Sequence, residues 1–186
     1  VAKALDQIIV VDVESTCWDG PPPQDEQSEI IEVGLCALNV ADGARLERRS
    51  VFVRPERSHI SQFCTELTTI TQSQVDQGVS FAEACRIVAH DYKTRERTWA
   101  SYGDYDRRQF ERQCASFGVA YPFGPTHLNV KNLVALALGL SHEAGMDEAL
   151  RLWSLPLEGV HHRAGDDAWN IAALLGSALR RLGTRE

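Results

Sequence analysis

The chain has 186 residues, 44% of them hydrophobic and 24% charged, with a net charge of −7. Those figures fit one ordinary soluble globular domain, here residues 1–186, able to bury about two-thirds of its unfolded surface. They exclude a membrane span, since no apolar run approaches ~20 residues, and they argue against passive coating of nucleic acid, which demands a basic footprint. No basic-then-apolar leader opens the sequence. Five scattered cysteines (Cys17, Cys36, Cys64, Cys85, Cys114) never form a CxxC pair, so reduced core thiols and a cytoplasmic setting are expected.

In chain order, "QIIVVDV" (7–13) is a short β-branched run suited to a buried strand. A proline-rich polar loop, "PPPQDEQSE", separates it from a second strand, "IIEVGLCALNV". Asp42-Gly43 then turns the chain into a third strand. "TQSQ" and "SFAE", led by Thr71 and Ser80, fit capping boxes and predict helix starts, the second helix running to about Tyr92. "TWASY" reads as a fourth strand, "DYDRRQFERQCASF" as a helix and "HLNV" as a fifth strand. Helices around "VKNLVALAL", "MDEALRLW" and "DDAWNIAALLGSALRRL" complete the chain. A strand meander followed by alternating helices and strands predicts an α/β architecture: one mixed sheet with helices on both faces.

Several acids fall where a core should be. Asp12 and Glu14 are two apart on a strand and project from one face. In the helix after the fourth strand, Phe110, Cys114 and Phe117 mark the apolar side, and Asp106 lies one turn before Phe110 on that side. Asp104 falls off that side and reads as the N-cap. In the last helix, Ile171, Leu174, Leu175, Ala178, Leu179 and Leu182 define the stripe. Asp167 projects about 50° from its centre and Asp166 about 150°, so Asp167 faces inward and Asp166 outward. Four inward carboxylates would repel and protonate without a cation. All-oxygen donors suit Mg²⁺ or Mn²⁺, and a pair of such ions is the usual device for phosphoryl chemistry. The chemistry also needs a proton acceptor near pH 7, which histidine supplies. His161 and His162 both precede the last helix, and a loop has no face by which periodicity could choose between them.

"VVDVEST", "SYGDYDRRQF" and "HHRAGDDAWNIA" together resemble the three exonuclease motifs of the DnaQ-like, or DEDDh, 3′→5′ exonucleases. "DVESTCWDG", "VFVRPERSHISQFCTELTTITQSQVD" and the last motif are similar to the subgroup of the histone-mRNA and small-RNA 3′-end exonuclease and the KapD-like proteins. The resemblance implies an RNase H-like fold with a mixed five-stranded sheet; with no SAP-type segment seen before it, the catalytic domain is expected to stand alone. It implies metal ligation by Asp12, Glu14, Asp106 and Asp167, and by register with Asp167 it places the general base at His162.

It further implies that the terminal nucleotide meets Ser15 and Thr16, with Phe63, Leu67, Ile70 and Tyr105 holding the base. "LTTIT" stands where relatives often have "LTGIT". Arg107 and Arg108 lie beside the site in sequence, and Arg45, Arg48 and Arg49 read as decoration of a hairpin. The expected activity is metal-dependent removal of 5′-mononucleotides from single-stranded 3′ ends, RNA favoured over DNA, with two Mg²⁺ or Mn²⁺ ions as cofactors. The rival is a non-catalytic domain of the same fold that binds nucleic acid or protein; its sign would be a substituted ligand or base, and all five are present.

Overall fold

A computed structural model describes residues 4–183. The meander consists of β1 (Ala4–Ser15), β2 (Ile30–Asn39) and β3 (Arg45–Phe52). Helices α1 (Gln62–Thr68), α2 (Gln72–Asp76) and α3 (Phe81–Asp91) follow, then β4 (Arg97–Ser101), α4 (Tyr105–Phe117) and β5 (His127–Asn129). The chain closes with α5 (Val130–Leu138), α6 (Met146–Leu152) and α7 (Ala164–Gly183). The sheet order is β3-β2-β1-β4-β5. β1 pairs antiparallel with β2 and parallel with β4, so the sheet is mixed, as the sequence predicts.

Strand parity divides the core into two layers. Ile9, Val11 and Val13 of β1 pack with Phe81 and Val88 of α3 and Phe110 of α4. Ile8 and Val10 face the other way, with Cys36 and Leu38 of β2, toward α5, α6 and α7. In α7, Ile171, Leu174 and Leu175 are buried as the stripe requires, each contributing roughly 1.5–3 kcal/mol. They clamp the helix across the sheet and so fix where its first turn can lie.

Thr71 forms the expected capping box with Gln74, and the Ser80 hydroxyl accepts from the Glu83 N–H. Helix α1 carries no capping box in its sequence, yet the Ser61 hydroxyl caps it, accepting from Cys64 N–H at 2.9 Å. Asp104 occupies the N-cap position of α4 but makes no capping bond. Its carboxylate instead takes Arg107 at 3.1 Å. The three hairpin arginines are ion-pair partners rather than decoration: Arg45 with Glu158, Arg48 with Asp166 and Arg49 with Asp91.

Candidate active site

Asp12 and Glu14 continue the Ile8–Val10 side of β1, so the strand that supplies core residues at one end supplies acids at the other. They therefore point to the face crossed by α7. Asp167, in the first turn of α7, meets them there: one ligand oxygen from each of Asp12, Glu14 and Asp167 lies within 4.8 Å of the others. Asp106, buried at the start of α4, lines the same cavity of about 400 Å³ and accepts from the Val13 N–H at 3.0 Å.

Two features of β2 make this convergence possible. Gly34 stands opposite Asp12, and a Cβ there would collide with the Ala164 carbonyl. Only glycine lets α7 approach so closely. Glu32 stands opposite Glu14, a like-charge pairing that costs stability unless one acid is neutralised. Fully buried, Glu32 accepts from Arg163 Nε at 3.2 Å and Nη2 at 3.1 Å, and from the Ala164 N–H at 3.0 Å. Arg163 thus compensates Glu32, while among the described residues Asp12 and Glu14 at the cavity have no ion-pair partner.

The electrostatics follow. Burial, then the charge of Asp106 and of its other acidic neighbours, drives Asp12 well above the ordinary carboxylate range. Burial, followed by Asp167, Glu32 and Asp106, pushes Glu14 up to about 8, opposed by Arg163. Asp106 rises to about 6, mainly by burial and against its backbone hydrogen bonds. Burial raises Asp167 also, against the nearby His161. Four crowded acids whose pKa values are all raised form a site suited to a hard cation, and the all-oxygen donor set fits Mg²⁺ or Mn²⁺.

The two histidines part in their bonding. His161 Nδ1 lies 3.1 and 3.2 Å from the Asp167 carboxylate oxygens. His162 has a left-handed backbone (φ 62°) and gives its N–H to Asp167 at 3.0 Å. Its ring makes no hydrogen bond among the described residues and lines the cavity, stacked on His161 at 4.0 Å. Burial and then the His161 charge lower the His162 pKa. Asp166 points away from the cavity, as expected, yet is engaged: it accepts from Val160 N–H at 2.7 Å and pairs with Arg48.

The nucleotide-contact candidates separate. Ser15, Leu67 and Tyr105 line the cavity. The Ser15 hydroxyl is buried with no partner, and Tyr105 is 57% exposed. Thr16 is turned inward, where its hydroxyl accepts from Glu29 N–H at 2.9 Å and contacts Ser58. Ile70 lies in a small core with Ile31, Cys64 and Val75. Phe63 is partly exposed on α1 and is not among the cavity-lining residues. Arg108 is exposed on α4. Lys131, which the sequence reading did not single out, is a cavity-lining cation, 3.4 Å from Glu143. It is the second residue of α5, polar and off that helix's apolar stripe, so the periodicity gave it no mark.

A family model described as "Exonuclease" matches residues 9–175. The rat "3′-5′ exoribonuclease 1" is 30% identical over 94% of this chain and 53% of its own length. The "Probable 3′-5′ exonuclease KapD" of Bacillus subtilis is 27% identical over 87% of this chain and 78% of its own. Among solved structures, the nuclease domain of 3′hExo, described as a DEDDh family member bound to rAMP, superposes with a TM-score of 0.85 at 27% identity. It covers 100% of this chain and 96% of that one. The chain spans about half the length of the rat relative, and 28% of the mouse "ERI1 exoribonuclease 2".

Proposed function

From the premise that this chain belongs to the exonuclease family, in its DEDDh branch and with its RNase H-like fold, we propose that it removes 5′-mononucleotides from single-stranded 3′ ends. The observation that carries the reading is the meeting of Asp12, Glu14, Asp106 and Asp167 around one cavity with a free imidazole beside them.

Asp12, Glu14 and Asp167 would hold one hard divalent ion, and Asp106 would complete the set for two Mg²⁺ or Mn²⁺. Bound there, such ions supply charge stabilisation at the phosphoryl oxygens and acidify the attacking water. His162 would accept a proton from the attacking water, its lowered pKa favouring the neutral imidazole that the role requires. The Ser15 hydroxyl, buried and unpartnered, is placed to hydrogen-bond the terminal nucleotide. Tyr105 and Leu67 offer the base an aromatic face and an apolar wall. Lys131 adds a positive charge for a phosphate. RNA is the favoured substrate, on the strength of the exoribonuclease relatives. A cytoplasmic setting agrees with the free thiols; among the described residues no helix is long and apolar enough to cross a membrane.

The test is a 5′-labelled oligonucleotide with Mg²⁺. A ladder of shortened products is expected, abolished by EDTA and reduced at least about 100-fold by His162→Ala. Undiminished cleavage in excess EDTA refutes the metal reading, and binding without any cleavage favours a non-catalytic domain.

A further inference from the structure

Asp167 belongs to two groups of donors at once. With Asp12 and Glu14 it forms an all-oxygen trio; with His161 and His162 it forms a second trio whose ligand atoms also lie within 4.8 Å of one another. The donor chemistry differs between them. Three carboxylates select hard ions, whereas two imidazoles and one carboxylate match zinc, cobalt or nickel. His161 is the residue that creates the second set, and the proposed hydrolysis makes no use of it.

The geometry needs little change. His161 Nδ1 already lies 3.1 Å from Asp167 Oδ2, close to the ~3.3 Å separation of ligand atoms around a tetrahedral ion. The His162 ring is stacked 4.0 Å from that of His161, so one imidazole must slide by on the order of 1 Å. Both rings are only partly buried and sit on the loop before α7, leaving an approach from solvent. The His162 N–H to Asp167 bond holds the third donor beside them.

We propose that His161, His162 and Asp167 form a second cation site, for a borderline transition ion of the zinc class, whose occupancy excludes a productive hard-ion site. An ion held there withdraws Asp167 from Asp12 and Glu14 and occupies the lone pair with which His162 would accept a proton. Inhibition, but not ion binding, rests on the proposed exonuclease function.

Co²⁺ reports the site without any cleavage assay. Added to EDTA-stripped and desalted protein, it should give the intense visible absorption of four-coordinate Co²⁺. That band should persist in Asp12→Asn and disappear in His161→Gln and in His161→Asn, two variants whose folding is checked by melting in EDTA. In Mg²⁺-supported cleavage, the Zn²⁺ concentration giving half inhibition should rise at least about 10-fold in His161→Gln, each protein referred to its own zinc-free rate. The proposal is overturned if the wild type gives no such band, if the band survives both His161 variants, or if zinc inhibits His161→Gln as strongly as the wild type. A near-ultraviolet thiolate band lost in Cys17→Ser would overturn it too, by placing the ion on the cavity's cysteine. A His161-dependent band in a protein that cuts nothing would sink the exonuclease reading and leave the cation site standing.

Discussion

Replacing Glu14 with glutamine should stabilise the metal-free protein while destroying its activity. Burial and the neighbouring acids push Glu14 from 4.5 to about 8 in the folded chain. A carboxyl with a raised folded pKa favours folding fully below its unfolded pKa, and that contribution is lost as pH climbs through the folded value. The window therefore runs from about 4.5 to about 8, and at about 1.4 kcal/mol per pH unit the swing for this one side chain is about 5 kcal/mol. Glutamine has nearly the same volume and no charge to lose, so Glu14→Gln should remove most of that swing.

Thermal melts in EDTA give the measurement. At pH 8 the variant should melt on the order of 10 °C above wild type, and at pH 5 the two should nearly coincide. Adding Mg²⁺ or Mn²⁺ at pH 8 should raise the wild-type midpoint more than the variant's, because the ion supplies the missing countercharge only where the carboxylate remains. A variant that melts at or below wild type at pH 8 in EDTA would refute the reasoning, for Glu14 would then not be an acid awaiting a cation.

Three further substitutions probe what surrounds the cluster. Gly34→Ala forces α7 away from β2 at the Ala164 carbonyl; the melt should fall by about 3 kcal/mol and kcat by at least about 100-fold, whereas a near-normal variant would show that this contact does not set the approach of α7. Glu32→Gln deprives Arg163 of its countercharge and should cost about 3 kcal/mol, lowering kcat more than it raises KM; a pure KM effect would place Glu32 in substrate binding instead. Asp166→Asn weakens the tie from Val160 and Arg48 that holds the histidine loop, at about 1 kcal/mol. Its cleavage rate should stay within about tenfold of wild type, and a loss near that of His162→Ala would put Asp166 in the chemistry.

The sheet and the inward faces of α4 and α7 are legible because each follows from a repeat, two residues in a strand and 3.6 in a helix; the helix starts at Thr71 and Ser80 are legible from their caps, of which only Thr71 completes the box. The same arithmetic placed Asp12, Glu14, Asp106 and Asp167 before any contact was known. It could not show Glu32 or Gly34 as parts of the site, because each acts through register. Glu32 matters since it stands opposite Glu14, and Gly34 since it stands opposite Asp12. Cross-strand pairing is a property of two segments, and "IIEVG" alone carries no mark of which residue it will face. Thr16 and Ile70 were assigned by position along a motif, and their side chains turn into bonds and packing that a linear motif does not record.

The dependence on register also explains how the fold can tolerate so much buried acid. Arg163 leads into α7 two positions before Gly165, and its guanidinium returns to Glu32 on the sheet. One arginine thereby cancels the acid that does not line the cavity, and the amide of Ala164 on the same acid ties down the helix turn that carries Asp167. Glu14, the cross-strand neighbour of Glu32, feels that arginine's charge but has no ion pair with it. The difference between a structural glutamate and one left for the proposed cation is thus which of two facing carboxylates the arginine reaches. Arg163→Met strands the buried Glu32 carboxylate and should cost about 3 kcal/mol in EDTA melts. A variant that melts like the wild type would show Arg163 to serve only as packing.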